Sequence, residues 1–150
     1  MTAATATRRL PRLVGQTRAK LDDKGRLVLP SQHRERFAED AVLLVRGDHL
    51  GLYEGAAWDE FCAEIEERRR EGRIDREAIA RITQQATEVR PDSAGRILVP
   101  TWMRDAVGLV LKEEVTVAGN LNYLGIYRPV RLSEPAPDVE QRVNELLNSL

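Results

Sequence analysis

Two stretches of this chain constrain its fold more than any other feature: LDDKGRLVLP at residues 21–30 and PDSAGRILVP at residues 91–100. With an offset of 70, Asp22, Gly25, Arg26, Pro30 and Arg34 fall on identical residues at Asp92, Gly95, Arg96, Pro100 and Arg104. Leu27, Val28, Leu29 and Ser31 meet the similar residues Ile97, Leu98, Val99 and Thr101. The echo continues with small insertions, VLLVRG (42–47) against EVTVAG (114–119) and LGLY (50–53) against LGIY (124–127). Self-similarity on this scale means one supersecondary unit present twice, and two copies are too few for an open solenoid.

Each copy reads physically as strand, turn, strand, helix, hairpin. A strand around Thr17 to Leu21 runs into Asp-x-x-Gly, where the Asp side chain accepts from nearby backbone N–H groups and Gly takes positive φ, so a hairpin turn is expected. The returning strand, Arg26 to Leu29, is a short apolar run, which predicts burial on both faces. Pro30 ends it, Ser31 or Thr101 is placed to cap a helix, and short helices are predicted through Phe37 in copy one and Val107 in copy two. The turn residues in AVLLVRGDHLGLYE and EVTVAGNLNYLGIYR predict a closing hairpin. A unit of about 40 residues exposes its strand edges and cannot bury a core alone, so the two copies are expected to pair into a barrel or an interleaved sandwich.

Between the copies, Trp58, Phe61, Cys62 and Ile65 recur at helical spacing and Gly72 is placed to stop that helix. A second helix is predicted from Asp75 as its cap, with Ile74 and Ile79 as a hydrophobic staple and Ile82 and Ala86 continuing its apolar face. After a linker, SEPAPD (133–138), Val139, Val143, Leu146, Leu147 and Leu150 form the stripe of a last helix that is expected to dock on something. The expected organisation is an extension at 1–12, a first repeat with its helix at 13–74, a second helix and repeat at 75–132, and a linker with an amphipathic helix at 133–150. The fold class is mostly β with helices, α+β.

Composition bounds the function. A 42% apolar content over 150 residues supports a core. No run of 18 apolar residues and no signal-like segment occurs, so a cytoplasmic protein with no membrane association is expected. One cysteine, Cys62, builds neither an internal disulfide nor a zinc site. His33 and His49 share no ligand spacing with it and are read as surface or helix-face residues. Arg68, Arg69 and Arg70 sit among Glu66, Glu67 and Glu71 and read as a solvated helix end; Trp58 and Trp102 read as core or interface packing rather than base-stacking platforms. No phosphate loop, catalytic triad or metal spacing is found, so neither an enzyme nor a cofactor is expected.

The net charge of −1 hides an uneven distribution. Residues 1–36 carry nine basic and three acidic side chains, residues 37–89 seven basic and thirteen acidic. A basic segment on an acidic body fits a protein with one face for nucleic acid.

The doubled Asp-x-x-Gly-Arg, together with ATEVRPD (86–92) and AVGL (106–109), resembles the MraZ family of bacterial transcriptional regulators, related to AbrB-type swapped-hairpin DNA-binding proteins. The resemblance covers about Leu13 to Tyr127. It implies a double-split β-barrel made from the two repeats, and a ring-shaped homo-oligomer, an octamer by that likeness. It also implies binding to double-stranded DNA at short G-rich direct repeats in the promoter of the division and cell-wall gene cluster, hence nucleoid association. Asp22 and Arg26, with Asp92 and Arg96, are then the motif residues, and the arginines touch DNA. The chain departs from the pattern at Ala94, which stands where copy one has Lys24, and in lacking a second counterpart of the Trp58 helix.

The chemistry agrees with that likeness. Gly25 and Gly95 form tight turns that project an arginine from a rigid strand end, and arginine suits bidentate contact with guanine O6 and N7 or with phosphate. Lys20 and Lys24 are expected at phosphates, and with Arg18 they surround Arg26, whereas Arg96 has mainly Arg90 nearby. The plainer reading is that each Asp and Arg only close their turn as a salt bridge. Two other functions stay open: an oligomeric protein-interaction scaffold, and an AbrB-type antitoxin that binds a toxin through its tail.

Overall fold

The computed structural model describes residues 12–129 and 136–150. Apart from Arg12, the extension expected at 1–12 lies outside the described residues, as does the first half of the linker expected at 133–138.

The chain order is β1 (Gln16–Lys20), β2 (Arg26–Val28), a 3-10 turn (Arg34–Phe37), β3 (Ala41–Val45), β4 (Leu50–Glu54), α1 (Gly55–Arg70), α2 (Arg76–Thr83), β5 (Ala86–Val89), β6 (Arg96–Leu98), α3 (Thr101–Val107), β7 (Glu114–Gly119), β8 (Leu124–Tyr127) and α4 (Val139–Ser149). Six strands form one antiparallel sheet in the order β1-β7-β8-β4-β3-β5, and β2 and β6 form a separate two-stranded ribbon. The mixed α+β class is therefore as expected. The ladder of the large sheet runs from β1 to β5 without closing on itself.

Strands of the two repeats interleave in both sheets. β1 of the first half pairs with β7 of the second, Gln16↔Ala118 through Lys20↔Glu114, and β5 of the second pairs with β3 of the first. At the centre β4 meets β8 about the matched glycines Gly51↔Gly125, with Leu50↔Ile126 and Leu52↔Leu124 on either side. The ribbon has the same symmetry: Leu27↔Ile97 is its midpoint, flanked by Arg26↔Leu98 and Val28↔Arg96. Swapping strands in this way pairs edges that a lone unit would expose, and leaves β1 and β5 as the outer strands of the large sheet.

This pairing revises the expected hairpin. Asp22 and Gly25 do form a tight turn, but β1 and β2 leave it for different sheets. The predicted burial of the Arg26–Leu29 run on both faces is also corrected. Leu27, Leu29, Ile97 and Val99 are buried, whereas Val28 and Leu98 are 44% and 56% exposed. A two-stranded ribbon has one face on the core and one on solvent, so its apolar residues alternate in exposure. The caps differ as well. Ser31 starts no helix, the 3-10 turn has His33 at its N-cap, and Thr101 is the first residue of α3 after Pro100.

One core fills the space between ribbon and sheet, from Leu13, Leu21, Leu27 and Phe37 of the first half to Ile97, Met103, Val115 and Ile126 of the second. A smaller cluster, Leu44, Tyr53 and Ala57 with Trp58, Phe61, Ile82, Ala86 and Tyr123, seats α1 and α2 on the sheet. Gly72 at φ +75° ends α1 as expected, with its N–H bonded to the carbonyl of Arg69 and that of Arg73 to Arg68. Asp75 caps α2 by accepting from the Ala78 N–H at 2.9 Å. Ala86 belongs to β5 rather than to the α2 face, because the helix stops at Thr83. On α4 the stripe residues Val143, Leu146, Leu147 and Leu150 are exposed, so among the described residues nothing covers this face.

Candidate nucleic-acid interface

The two Asp-x-x-Gly-Arg turns have matching geometry. In the first, the Asp22 carboxylate accepts from the backbone N–H of Arg26 at 2.8 Å and of Lys24 at 2.9 Å, and from Arg26 Nε at 2.7 Å. In the second, Asp92 accepts from the Arg96 N–H at 2.9 Å, the Ala94 N–H at 3.0 Å and Arg96 Nε at 2.8 Å. Gly25 and Gly95 sit at φ +83° and +77°, where a side chain would be strained. Each glycine also passes its carbonyl across the molecule: Val99 N–H donates to Gly25 at 2.8 Å and Leu29 N–H to Gly95 at 2.9 Å.

The salt bridge and an outward-reaching arginine are compatible, because the bond to Asp consumes only Nε. A guanidinium carries five N–H donors. Among the described residues no hydrogen bond engages either Nη of Arg26 or Arg96. The pair therefore fixes the base of the fork and leaves its two tines free. Both ion pairs are partly exposed, so their role is orientation more than stability.

The backbone N–H of Arg26, then that of Lys24 and the Arg26 guanidinium, hold the Asp22 carboxyl down at about 2 against the opposing effect of burial. Asp92 is held low by the same set, led by the Arg96 N–H. A carboxyl depressed on folding stabilises the protein above its unfolded value, near 3.8, and loses that contribution as pH falls through about 2. Both aspartates are therefore carboxylates across neutral pH. The thermal midpoint is expected to fall between pH 4 and pH 2, and to fall less steeply in the Asp22→Asn, Asp92→Asn double variant. Circular dichroism melts across that range check it; identical pH slopes would show that the turns carry no linked stability.

The ribbon unites the motif residues of both repeats. Residues directly opposite in an antiparallel pair point to the same face, as do positions two apart on one strand. Arg26, Val28, Leu98 and Arg96 thus share the solvent face, while Leu27 and Ile97 point into the core. Lys24 is exposed at the tip of the first turn. Arg18 and Lys20 lie on β1, where Lys20 is opposite Glu114 and Arg18 Nη1 is 3.8 Å from the same carboxylate. Glu114 offsets part of the charge that these residues would add around Arg26. Arg90 Nε donates to the Glu39 carbonyl at 3.2 Å.

Two arginines with no role assigned from the sequence hold the turns in place. Arg34 Nε donates to the Leu29 carbonyl at 3.0 Å and Arg104 Nε to that of Val99 at 3.1 Å. Each guanidinium packs over the other repeat's turn glycine, Arg34 at Gly95 and Arg104 at Gly25. Their identity at the 70-residue offset was the available signal.

The histidines are less exposed than expected. His33 is buried, and burial followed by the charge of Arg36 pushes its imidazole below the usual value. His49 stacks on Tyr127 at 4.3 Å and bonds to the Tyr123 hydroxyl at 3.0 Å. Trp58 packs beside Tyr53 and Phe61, whereas Trp102 is exposed on α3. Arg68, Arg69 and Arg70 pair with Glu64, Glu66 and Glu67 along α1, a solvated helix end as read. Among the described residues no helix is long and apolar enough to cross a membrane.

Fold and site together define an α+β protein that presents a pair of aspartate-oriented arginines on one ribbon face. A family model described as "MraZ protein, putative antitoxin-like" matches residues 13–78 and 82–134. A curated relative from Corynebacterium diphtheriae, named transcriptional regulator MraZ, is 35% identical over 118 residues, 76% of this chain and 79% of its own. The relative of the same name from Thermomicrobium roseum is 30% identical over 142 residues, 89% of this chain and 99% of its own. One from Mycolicibacterium vanbaalenii is 33% identical over 110 residues, 72% of this chain and 75% of its own. The chain belongs to the MraZ family.

Proposed function

We propose that this protein is a transcriptional regulator that binds double-stranded DNA through the ribbon and its two turns, in the cytoplasm at the nucleoid. The observation that carries this reading is the free Nη pair on each of Arg26 and Arg96, held outward by a carboxylate on Nε. A guanidinium fork of that kind matches guanine O6 and N7 or a phosphate. Lys24 at the turn tip adds a phosphate contact, and Lys20 and Arg18 contribute less because Glu114 lies beside them. The family resemblance adds the target: short G-rich direct repeats ahead of the division and cell-wall gene cluster. It also adds the description of ribbon and sheet as a double-split barrel.

A salt titration of duplex DNA binding tests the reading, since phosphate contacts release counterions and a protein scaffold does not. The affinity is expected to fall linearly on logarithmic axes with salt. Lys24→Ala should weaken binding about equally on all sequences and reduce the slope by roughly one unit. Affinity independent of salt would favour the scaffold.

The acting form is a ring-shaped homo-oligomer, an octamer by the family likeness. What supports assembly is the α4 stripe and an open groove of about 1010 Å³ between α1, α2 and the β7–β8 turn, lined by Tyr53, Phe61, Ile65, Ile82 and Tyr123. An isolated helix of this length is marginal in water, so its apolar face needs a partner. Mass measurement at micromolar concentration is expected to give a closed multimer, and Leu146→Asp with Leu147→Asp a smaller species. A monomer for the unaltered chain overturns the assembly.

A further inference from the structure

The four residues on the outer face of the ribbon form a checkerboard, with arginine opposite leucine and valine opposite arginine. Val28 and Leu98 stand there 44% and 56% exposed although each is flanked by charge. Among the described residues the ribbon's buried packing comes from Leu27 and Ile97 on its inner face. A polar residue at either position would cost the isolated chain little and would gain hydration. Their chemistry therefore points outward, to whatever the two arginines address.

If the ribbon lies on DNA, one groove fits it. The major groove admits a two-stranded β-ribbon, and the single apolar group that base pairs display there is the C5-methyl of thymine. Resting on the proposed DNA binding by the ribbon, we infer that Val28 and Leu98 are specificity-determining residues that select thymine by packing on its methyl group. The spacing suits this. Arg26 and Val28 are two positions apart on one strand, about 7 Å, which matches about two base-pair steps of 3.4 Å. Each Arg–apolar pair thus addresses a guanine and a thymine within about two base pairs of one another. The approximate two-fold axis through Leu27 and Ile97 runs the two pairs in opposite directions along the ribbon. The arginines supply the polar half of the code and the two apolar side chains the other half.

The test compares a duplex chosen by selection from random DNA with the same duplex in which deoxyuridine replaces every thymidine, which deletes the methyl groups and keeps all hydrogen-bonding edges. The unaltered protein is expected to bind the uracil duplex more weakly, by about 4-fold for each thymine methyl that the ribbon covers. The Val28→Ser, Leu98→Ser protein should bind both duplexes alike, near the affinity that the unaltered chain has for uracil DNA. Equal binding of the two duplexes by the unaltered protein overturns the thymine reading and leaves DNA binding by the turns intact. A uracil penalty that persists in the serine variant also overturns it, because the methyl groups would then be packed elsewhere. Failure of the unaltered protein to bind any duplex overturns both readings. The uracil comparison needs no variant, so it stands even if the serine chain folds poorly.

Discussion

Arg26→Ala is expected to leave the protein folded while weakening its binding to target DNA by about 1–3 kcal/mol for each engaged site. Folding survives because the ion pair it removes is partly exposed and contributes little, while the backbone N–H groups of Lys24 and Arg26 still satisfy the Asp22 carboxylate. Binding suffers because the Nη pair is the group held free for guanine or phosphate. In a ring several turns engage at once, so the loss is multiplied through avidity and the total effect is large. Sequence preference should change too, in contrast to Lys24→Ala. Arg96→Ala should act in the same direction but more mildly, since Ala94 replaces the turn-tip lysine and leaves the second turn with less phosphate contact. Binding measured on selected and on random duplexes at several salt concentrations decides it. An Arg26→Ala protein that stays folded with unchanged affinity and preference would return these turns to simple salt bridges.

Leu27→Ala or Ile97→Ala is expected to destabilise the fold by about 2–5 kcal/mol each, against a total of about 5–15 kcal/mol for a typical domain. Both side chains are fully buried and directly opposed at the midpoint of the ribbon, where the two repeats meet. The cavity therefore opens at the joint between them. Each substitution should also weaken DNA binding indirectly, because both turns hang on this ribbon. Residues in direct contact do not behave independently, so the double variant should depart from the sum of the singles. Urea denaturation followed by circular dichroism measures all three. A loss below about 1 kcal/mol for both single variants would show that neighbouring side chains close the gap.

Much of the site was legible in the chain. Asp-x-x-Gly-Arg fixes a local geometry, since an aspartate can reach backbone N–H groups two and four residues on and glycine alone takes positive φ without strain. That chemistry is short-range, so the turn at Asp22 and its twin at Asp92 could be read directly. The hairpins β3–β4 and β7–β8, the Asp75 cap and the Gly72 stop are local in the same sense.

What lay beyond the sequence was pairing between distant segments. The Asp-x-x-Gly turn predicts β1 as the partner of β2, yet β1 joins β7 and β2 joins β6, because a strand edge is satisfied equally well by any partner and topology chooses among them. The burial of Leu27 and the exposure of Val28 follow from that choice, since the ribbon has one face on the core. Arg34 and Arg104 show the same limit. Each bonds locally, to Leu29 and Val99, but the glycine it covers lies in the other repeat. By itself the sequence determined the repeated unit and the chemistry of each turn, which depend on neighbours a few residues away. Only the tertiary structure placed the two arginines and the two exposed apolar side chains on one face, because that face exists only when the repeats interleave.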